Sequence, residues 1–302
     1  MASDPQNLAI QTRSDVYPGI DVLNNPALKE CSRGKVVLIT GASRGIGEAT
    51  ATAFALSGAK ALFLCARTAS ALVAVKEKLL DKVPSVEVEF AVMDVTRPED
   101  VERAVQRCVR EFGRLDVVIS NAGARGIKCH ISLADPKAWW DSFGPNLCGN
   151  YLIYRYTVHE LAKAGGGHII FVSSIGSHYH VPEISDYVVA KHALNRLAER
   201  IAVEHEQDNI KSIAIHPGGI KTELTKDAPP AVAVHLVDDV NLPAYSIVRL
   251  CSGSEDWLSG RYFSVNWDLD ELNSDKFKTR ILEEDSLKTR LRVPAELAGG
   301  RG

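Results

Sequence analysis

Seven short apolar runs recur along the chain and alternate with longer amphipathic stretches. The runs are Lys35–Thr40, Ala61–Ala66, Val86–Met93, Leu115–Ser120, His168–Ser174, Ile210–His216 and Arg261–Asn266. Most are continuously apolar, the pattern of strands buried on both faces. The segments between them read as helices, of which Arg97–Phe112 is the clearest. Thr96 is placed to cap it, and Pro98 sits in its first turn, where a missing N–H costs nothing. Val101, Ala104, Val105, Cys108, Val109 and Phe112 form its apolar stripe. Strands alternating with helices predict an α/β fold, a parallel sheet with right-handed crossovers.

Residues 1–33 are polar, with Pro5, Pro18 and Pro26 scattered through them, and read as an extended, partly mobile arm. No linker splits the chain after residue 33. The pattern predicts one domain over 34–267, with the arm before it and a C-terminal extension over 268–302. The extension holds a predicted helix from Ser274, with Phe277, Ile281 and Leu282 on one side, and the closing Ala295–Gly302 reads as disordered.

Composition narrows the function classes. The 302 residues are 45% hydrophobic and 24% charged, with a net charge of −3. That balance, without a basic cluster, argues against nucleic acid and against an anionic membrane surface as partners. The most apolar stretch, Ala49–Ala66, is broken by Ser57, Gly58 and Lys60, too soon for a membrane helix. The N-terminus shows no apolar signal region. Cys31, Cys65, Cys108, Cys129, Cys148 and Cys251 form no C-x-x-C pair, so a reduced, cytoplasmic setting is expected.

The first apolar run ends in Gly41-Ala42-Ser43-Arg44-Gly45-Ile46-Gly47 and then a helix. Glycines allow a sharp turn and close approach of a ligand, and the free N–H groups of the helix favour an anion such as pyrophosphate. The spacing is G-x-x-x-G-x-G, and a tight strand-to-helix turn without ligand is the plainer reading; the position after the first strand favours a dinucleotide cofactor. At the tip of the second strand, NAD-selective folds carry an acidic residue. Here Arg67 stands instead, with Arg44 in the glycine turn. Two guanidinium groups suit a 2′-phosphate, so NADP(H) is expected over NAD(H).

Tyr187-Val188-Val189-Ala190-Lys191 places tyrosine and lysine four apart, on one face of a helix. A nearby ammonium stabilises a phenolate, which makes the pair an acid/base unit. Ser174 ends the fifth strand, at the sheet edge where open α/β folds bind ligands, and could donate to a carbonyl oxygen as charge develops. Alternation turns Ser173 to the other side.

With these motifs in order, the chain resembles the short-chain dehydrogenase/reductase family over about residues 35–266. The likeness rests on TGASRGIG at 40–47, Asp94-Val95, Ser120-Asn121-Ala122-Gly123, Asn146, Ser174, Tyr187 with Lys191, and Pro217-Gly218 with Thr222. It implies a Rossmann-type, doubly wound parallel sheet of about seven strands in a single domain. It also implies roles. Tyr187 is the general acid or base, and Lys191 holds the nicotinamide ribose and depresses the tyrosine pKa. Ser174 polarises the carbonyl, and Asn146 holds a water that relays protons. Cofactor contacts are implied for Gly41, Ser43, Arg44, Gly45, Ile46, Gly47, Arg67, Asp94, Val95, Asn121, Ala122, Gly123, Tyr187, Lys191, Pro217, Gly218, Ile220 and Thr222. Ser120 departs from a more frequent asparagine, and Asn266-Trp267-Asp268 replaces the usual glycine-rich close of the last strand. That ending is similar to fungal members associated with secondary metabolism.

The family walls its substrate site with Ala124–Leu133, Ile175–Asp186 and the stretch after Thr222, here a short lid containing Pro229-Pro230. His178, Tyr179 and His180 then suit a bulky polycyclic, aromatic or terpenoid-like carbonyl. His178-x-His180 lacks a third metal ligand, so no metal is expected. Trp139-Trp140 reads as helix packing and Glu283-Glu284-Asp285 as a solvated face. The leading expectation is an NADP(H)-dependent oxidoreductase acting on a small-molecule carbonyl/alcohol pair. A redox-neutral epimerase, dehydratase or lyase on the same Tyr/Lys site is the alternative, and a cofactor-sensing protein a third reading. The resemblance also implies a homodimer or homotetramer, formed through helices around Asn146–Lys163 and Val188–Glu206.

Overall fold

A computed structural model describes residues 8–180, 182–228 and 230–291, with backbone alone for Pro230 and Ala231. The strands are β1 (Val36–Thr40), β2 (Ala61–Ala66), β3 (Glu87–Val92), β4 (Val117–Ser120), β5 (Gly167–Val172), β6 (Ile210–His216) and β7 (Tyr262–Ser264). All pair in parallel, in the order β3-β2-β1-β4-β5-β6-β7. The order reverses between β1 and β4, which opens a crevice at the carboxyl ends of the strands.

Helices cover both faces. They are α1 (Gly45–Leu56), α2 (Ala69–Lys82), α3 (Pro98–Phe112), α4 (Pro136–Asp141), α5 (Gly149–Lys163) and α6 (Ser185–Glu204). Next in the chain come α7 (Pro230–Ala233), α8 (Asn241–Leu250), α9 (Leu269–Leu272) and α10 (Asp275–Glu283). Alternate residues of one strand enter opposite cores. Val37 and Ile39 pack on the side of α1 and α8, while Val36 and Leu38 pack on the side of α3, α5 and α6. Edge strand β3 breaks the continuously apolar pattern: Glu89 faces outward and pairs with Lys76 and Arg107. The predicted cap of α3 is absent, because the Thr96 N–H and hydroxyl both turn back to donate to Asp94.

The arm differs from expectation, whereas the extension holds its predicted helix as α10. From residue 8 the arm packs against the domain: Tyr17, Ile20, Val22 and Leu28 are buried in its core. The arm lies antiparallel to the segment after β7. Thr12 bridges to Trp267, Arg13 N–H donates to the Asn266 carbonyl at 2.7 Å, and Asp268 N–H donates to the Gln11 carbonyl at 3.0 Å. Beneath it, Arg249 on α8 donates to Glu255 at 2.8 Å, to Asp270 and to the Gly19 carbonyl, joining arm, domain and extension. The extension bonds its own chain as far as Arg290: the Leu287 carbonyl accepts from Tyr262 N–H at 2.8 Å, and Arg290 donates to Glu199. Phe277 and Ile281 are buried as predicted, but Leu282 is exposed because it falls on the outer side of α10. Asp285 is not merely solvated: Arg261, Lys288 and Arg290 all pair with it. Trp140 is likewise exposed, while Trp139 packs and donates to Ser185 at 3.0 Å. The predicted disordered close at 295–302 lies outside the described residues, as do Val181 and Pro229.

Candidate active site

Gly41, Ser43, Gly45, Ile46 and Gly47 line the turn from β1 into α1. The close packing explains the glycine: a Cβ at Gly47 would stand 2.3 Å from the Gly41 carbonyl oxygen. Helix α1 has Arg44 at its N-cap and no side chain bonding its first N–H groups, so these remain available to an anion. Across the crevice, the chain after β6 closes over the turn, and a Cβ on Gly45 would meet Thr222 Cγ2 at 3.5 Å. Pro217 and Gly218 follow β6, and Ile220 is held there by a bridge to Asp238. These groups form a cradle that fits a dinucleotide pyrophosphate.

Arg44 and Arg67 are both exposed at this edge. Asp94 lies two residues beyond β3; bonds from the Thr96 backbone and hydroxyl, with Arg67 and Arg97 nearby, hold its carboxyl below the usual range. Val95 packs against Gly149 at the start of α5. Thr40 is a junction: its hydroxyl oxygen accepts from the N–H groups of Asn121 and Ala122, both at 3.0 Å. The Asn121 amide donates to the carbonyls of Thr40 and Gly41 at 3.0 and 3.3 Å. Its amide thereby joins the ends of β1 and β4 at the edge of the crevice.

Ser174, Tyr187 and Lys191 converge at the end of β5. Tyr187 and Ser174 share a hydrogen bond, and Lys191 Nζ lies 5.7 Å from the Tyr187 ring centre. The ammonium donates to the Val172 carbonyl at 2.8 Å. Burial lowers Lys191 to about 8, and burial raises Tyr187. Desolvation outweighs the bond from Ser174 in setting the tyrosine. Asn146 sits inside a π-helical turn, Gly144–Cys148, between α4 and α5. Its Oδ1 accepts from Ala124 N–H at 3.1 Å and its amide donates to the Ser142 carbonyl at 3.0 Å. A Cβ on Gly123 would come 3.1 Å from Asn146 Oδ1 and 3.5 Å from Lys191 Nζ, so the glycine marks where the two approach. Ser120 donates to Asn150 at 2.8 Å, and Asn150 donates to the Asn146 carbonyl, so the serine anchors the same turn.

Ser173 turns away, donating to Asn195 at 2.6 Å. His178 follows it: Asn195 Nδ2 donates to His178 Nε2 at 3.0 Å, and the ring packs edge-on against Tyr262 at 4.5 Å. His178 is thus anchored under the loop on one side by Asn195 and Tyr262. Tyr179 is half-buried and His180 exposed.

Three groups escaped sequence reasoning. His216, at the end of β6, accepts the Ile175 N–H on Nδ1 at 3.1 Å and so fixes the backbone after Ser174. Asp186 is buried, and its Oδ2 accepts from Ile127 N–H at 2.9 Å, holding the loop after β4 against Tyr187. Arg125 reaches across the crevice to Asp227 at 2.8 Å and to the Glu223 carbonyl at 2.8 Å. Each contact spans long sequence separations, and no local spacing signals it.

The comparisons with known proteins agree with this geometry. Residues 35–233 match the model of the short chain dehydrogenase family. The chain is 39% identical over 286 residues to the short chain dehydrogenase mpl6 of Monascus purpureus, covering 93% of this chain and 95% of that one. Its fold is similar to levodione reductase, at TM-score 0.72 and 26% identity over 78% of this chain and 96% of the other. It is also similar to a 3-ketoacyl-(acyl-carrier-protein) reductase from Brucella melitensis complexed with NADH, at TM-score 0.71 and 25% identity over 77% and 97% of the two chains. With the glycine turn, the Ser/Tyr/Lys group and the seven-stranded sheet in one arrangement, this chain belongs to the short-chain dehydrogenase family.

Proposed function

We propose that the protein is an NADP(H)-dependent oxidoreductase that interconverts a bulky ketone or aldehyde and its alcohol. The observation that carries this reading is the convergence of Ser174, Tyr187 and Lys191 beside the glycine cradle. The nicotinamide, when bound, supplies or takes the hydride. The chain's own residues do the rest. The turn from Gly41 to Gly47 and Thr222 hold the dinucleotide, and Asp94 and Val95 flank its adenine. Arg44 and Arg67 carry positive charge to the position of a 2′-phosphate, and β2 runs into Arg67 with no acidic residue at its end. The backbones of Asn121, Ala122, Gly123 and Ile220 complete the cradle. Ser174 donates to the substrate oxygen, and Tyr187 gives that oxygen a proton in reduction or removes one in oxidation. Lys191 supports the phenolate as it forms, and Asn146 holds the path by which the proton is replaced. Holding the partners in attack geometry supplies much of the acceleration.

Likeness to a Monascus protein supports a place in fungal secondary metabolism. Exposed Tyr151 on α5 and Val189 and Val203 on α6 support a homodimer or homotetramer through those helices. Among the described residues no helix is long and apolar enough to cross a membrane. The reading is tested by following NADPH, then NADH, against bulky ketones and aldehydes, with Tyr187→Phe beside the native protein. Consumption of NADPH that the variant loses by roughly 100-fold or more supports it; consumption that survives in the variant overturns the role of Tyr187.

A further inference from the structure

A cavity of about 360 Å³ opens at the carboxyl edge of β5, β6 and β7. Its size is within the range of small-molecule sites. One wall is Ile175, the residue after Ser174, and another is Trp267 behind β7. The third is Thr12, Arg13 and Ser14 of the N-terminal arm. The arm is tied firmly there: Asn266 Nδ2 donates to the Arg13 carbonyl at 2.9 Å, and Asp239 N–H donates to the Ser14 carbonyl at 2.8 Å.

We propose that the N-terminal arm completes the substrate site, and that this cavity seats a neutral, hydroxyl-bearing aromatic ketone or aldehyde beside Ser174. The proposal rests on the carbonyl/alcohol reading above. The wall chemistry carries the substrate class. Ile175, Val237 and Trp267 offer apolar surface, and Thr12, Ser14 and Ser264 offer hydroxyls. The wall's arginine is already paired, and one oxygen of its carboxylate is already bonded. The Arg13 guanidinium is bound by Asp268 at 2.6 Å and lies over the Tyr17 ring, and Asp238 accepts from Gly219 N–H and the Asn266 amide. An anionic ligand would find the wall's arginine already paired, whereas a neutral flat skeleton with hydroxyls would find both kinds of contact. The location of the cavity also moves the substrate contacts from His178 to the arm.

The test fills the cavity from two sides. Ser14→Trp and Val237→Trp each alter an exposed position, so neither disturbs the core. The probes are 2-acetonaphthone and its hydroxylated analogues. Their Kd is measured by calorimetry in the presence of NADP+, their KM with NADPH, and the NADPH Kd by fluorescence. The expected result is a rise of tenfold or more in both Kd and KM for the probes in both variants, with the NADPH Kd unchanged. Unchanged probe Kd and KM in both folded variants overturn the proposal while leaving the oxidoreductase reading intact. Probes that bind the native protein, weaken in both variants, yet are never reduced leave the arm site standing and sink the redox reading. Failure of every probe to bind the native protein overturns the proposed ligand class.

Discussion

The Ile175 backbone N–H donates to His216 Nδ1 at 3.1 Å, tying the turn after Ser174 to the end of β6. An acceptor at Nδ1 requires a neutral ring that carries its proton on Nε2. Burial keeps it so, lowering His216 to about 4 from an ordinary 6.5. The unfolded chain binds the proton first as pH falls, so the stabilising contribution is whole above 6.5 and is lost as pH falls toward 4. That lowering corresponds to about 3 kcal/mol. Denaturant midpoints measured from pH 7 to 4 should fall more steeply for the native protein than for His216→Gln; equal slopes would remove His216 from the account.

Lys191 makes a second pH prediction. At about 8, its ammonium is lost on the alkaline side while Tyr187, raised by burial, stays protonated. The kcat/KM for cofactor reports the free enzyme. It should decline above about pH 8, and Lys191→Met should lack that break.

The two guanidinium groups at the cofactor edge should discriminate between cofactors. Arg44→Ala and Arg67→Ala are each expected to raise the NADPH Kd by roughly 10- to 100-fold, from the worth of a hydrogen bond to a charged group. The NADH Kd should hardly move. Equal effects on both cofactors would contradict a 2′-phosphate site.

Arg125 and Asp227 form an exposed pair, so their bond is worth only about 0–1 kcal/mol of stability. Its effect should appear in kinetics, because it joins the loop after β4 to the chain after Thr222. Arg125→Ala is expected to speed cofactor release in stopped-flow measurements with little change in melting temperature. A large loss of Tm with an unchanged release rate would mean a structural role alone.

Arg249 differs because Glu255 beneath it is wholly buried. Arg249→Met strands that carboxylate and should cost roughly 3–5 kcal/mol in urea unfolding. Because the same guanidinium bonds the Gly19 carbonyl, the arm should also become open to proteolysis near residues 8–20.

Local chemistry made the sheet, its seven strands and the pairing of Tyr187 with Lys191 legible from residue order alone. Buried parallel strands write themselves as apolar runs, and a helix at four-residue spacing brings Tyr187 beside Lys191 whatever surrounds it. Contacts across the fold left no such trace. Burial raises Tyr187 and lowers Lys191, because desolvation depends on atoms brought in from every side. Asn195 drew His178 under the loop, from seventeen residues further along the chain. The arm reads as polar and mobile, since its apolar residues are sparse and without period. Yet Ile20 and Tyr17 find a core that exists only once α8 and α9 have been placed, and Thr12 to Ser14 acquire a cavity to line only when β7 and Trp267 lie opposite them.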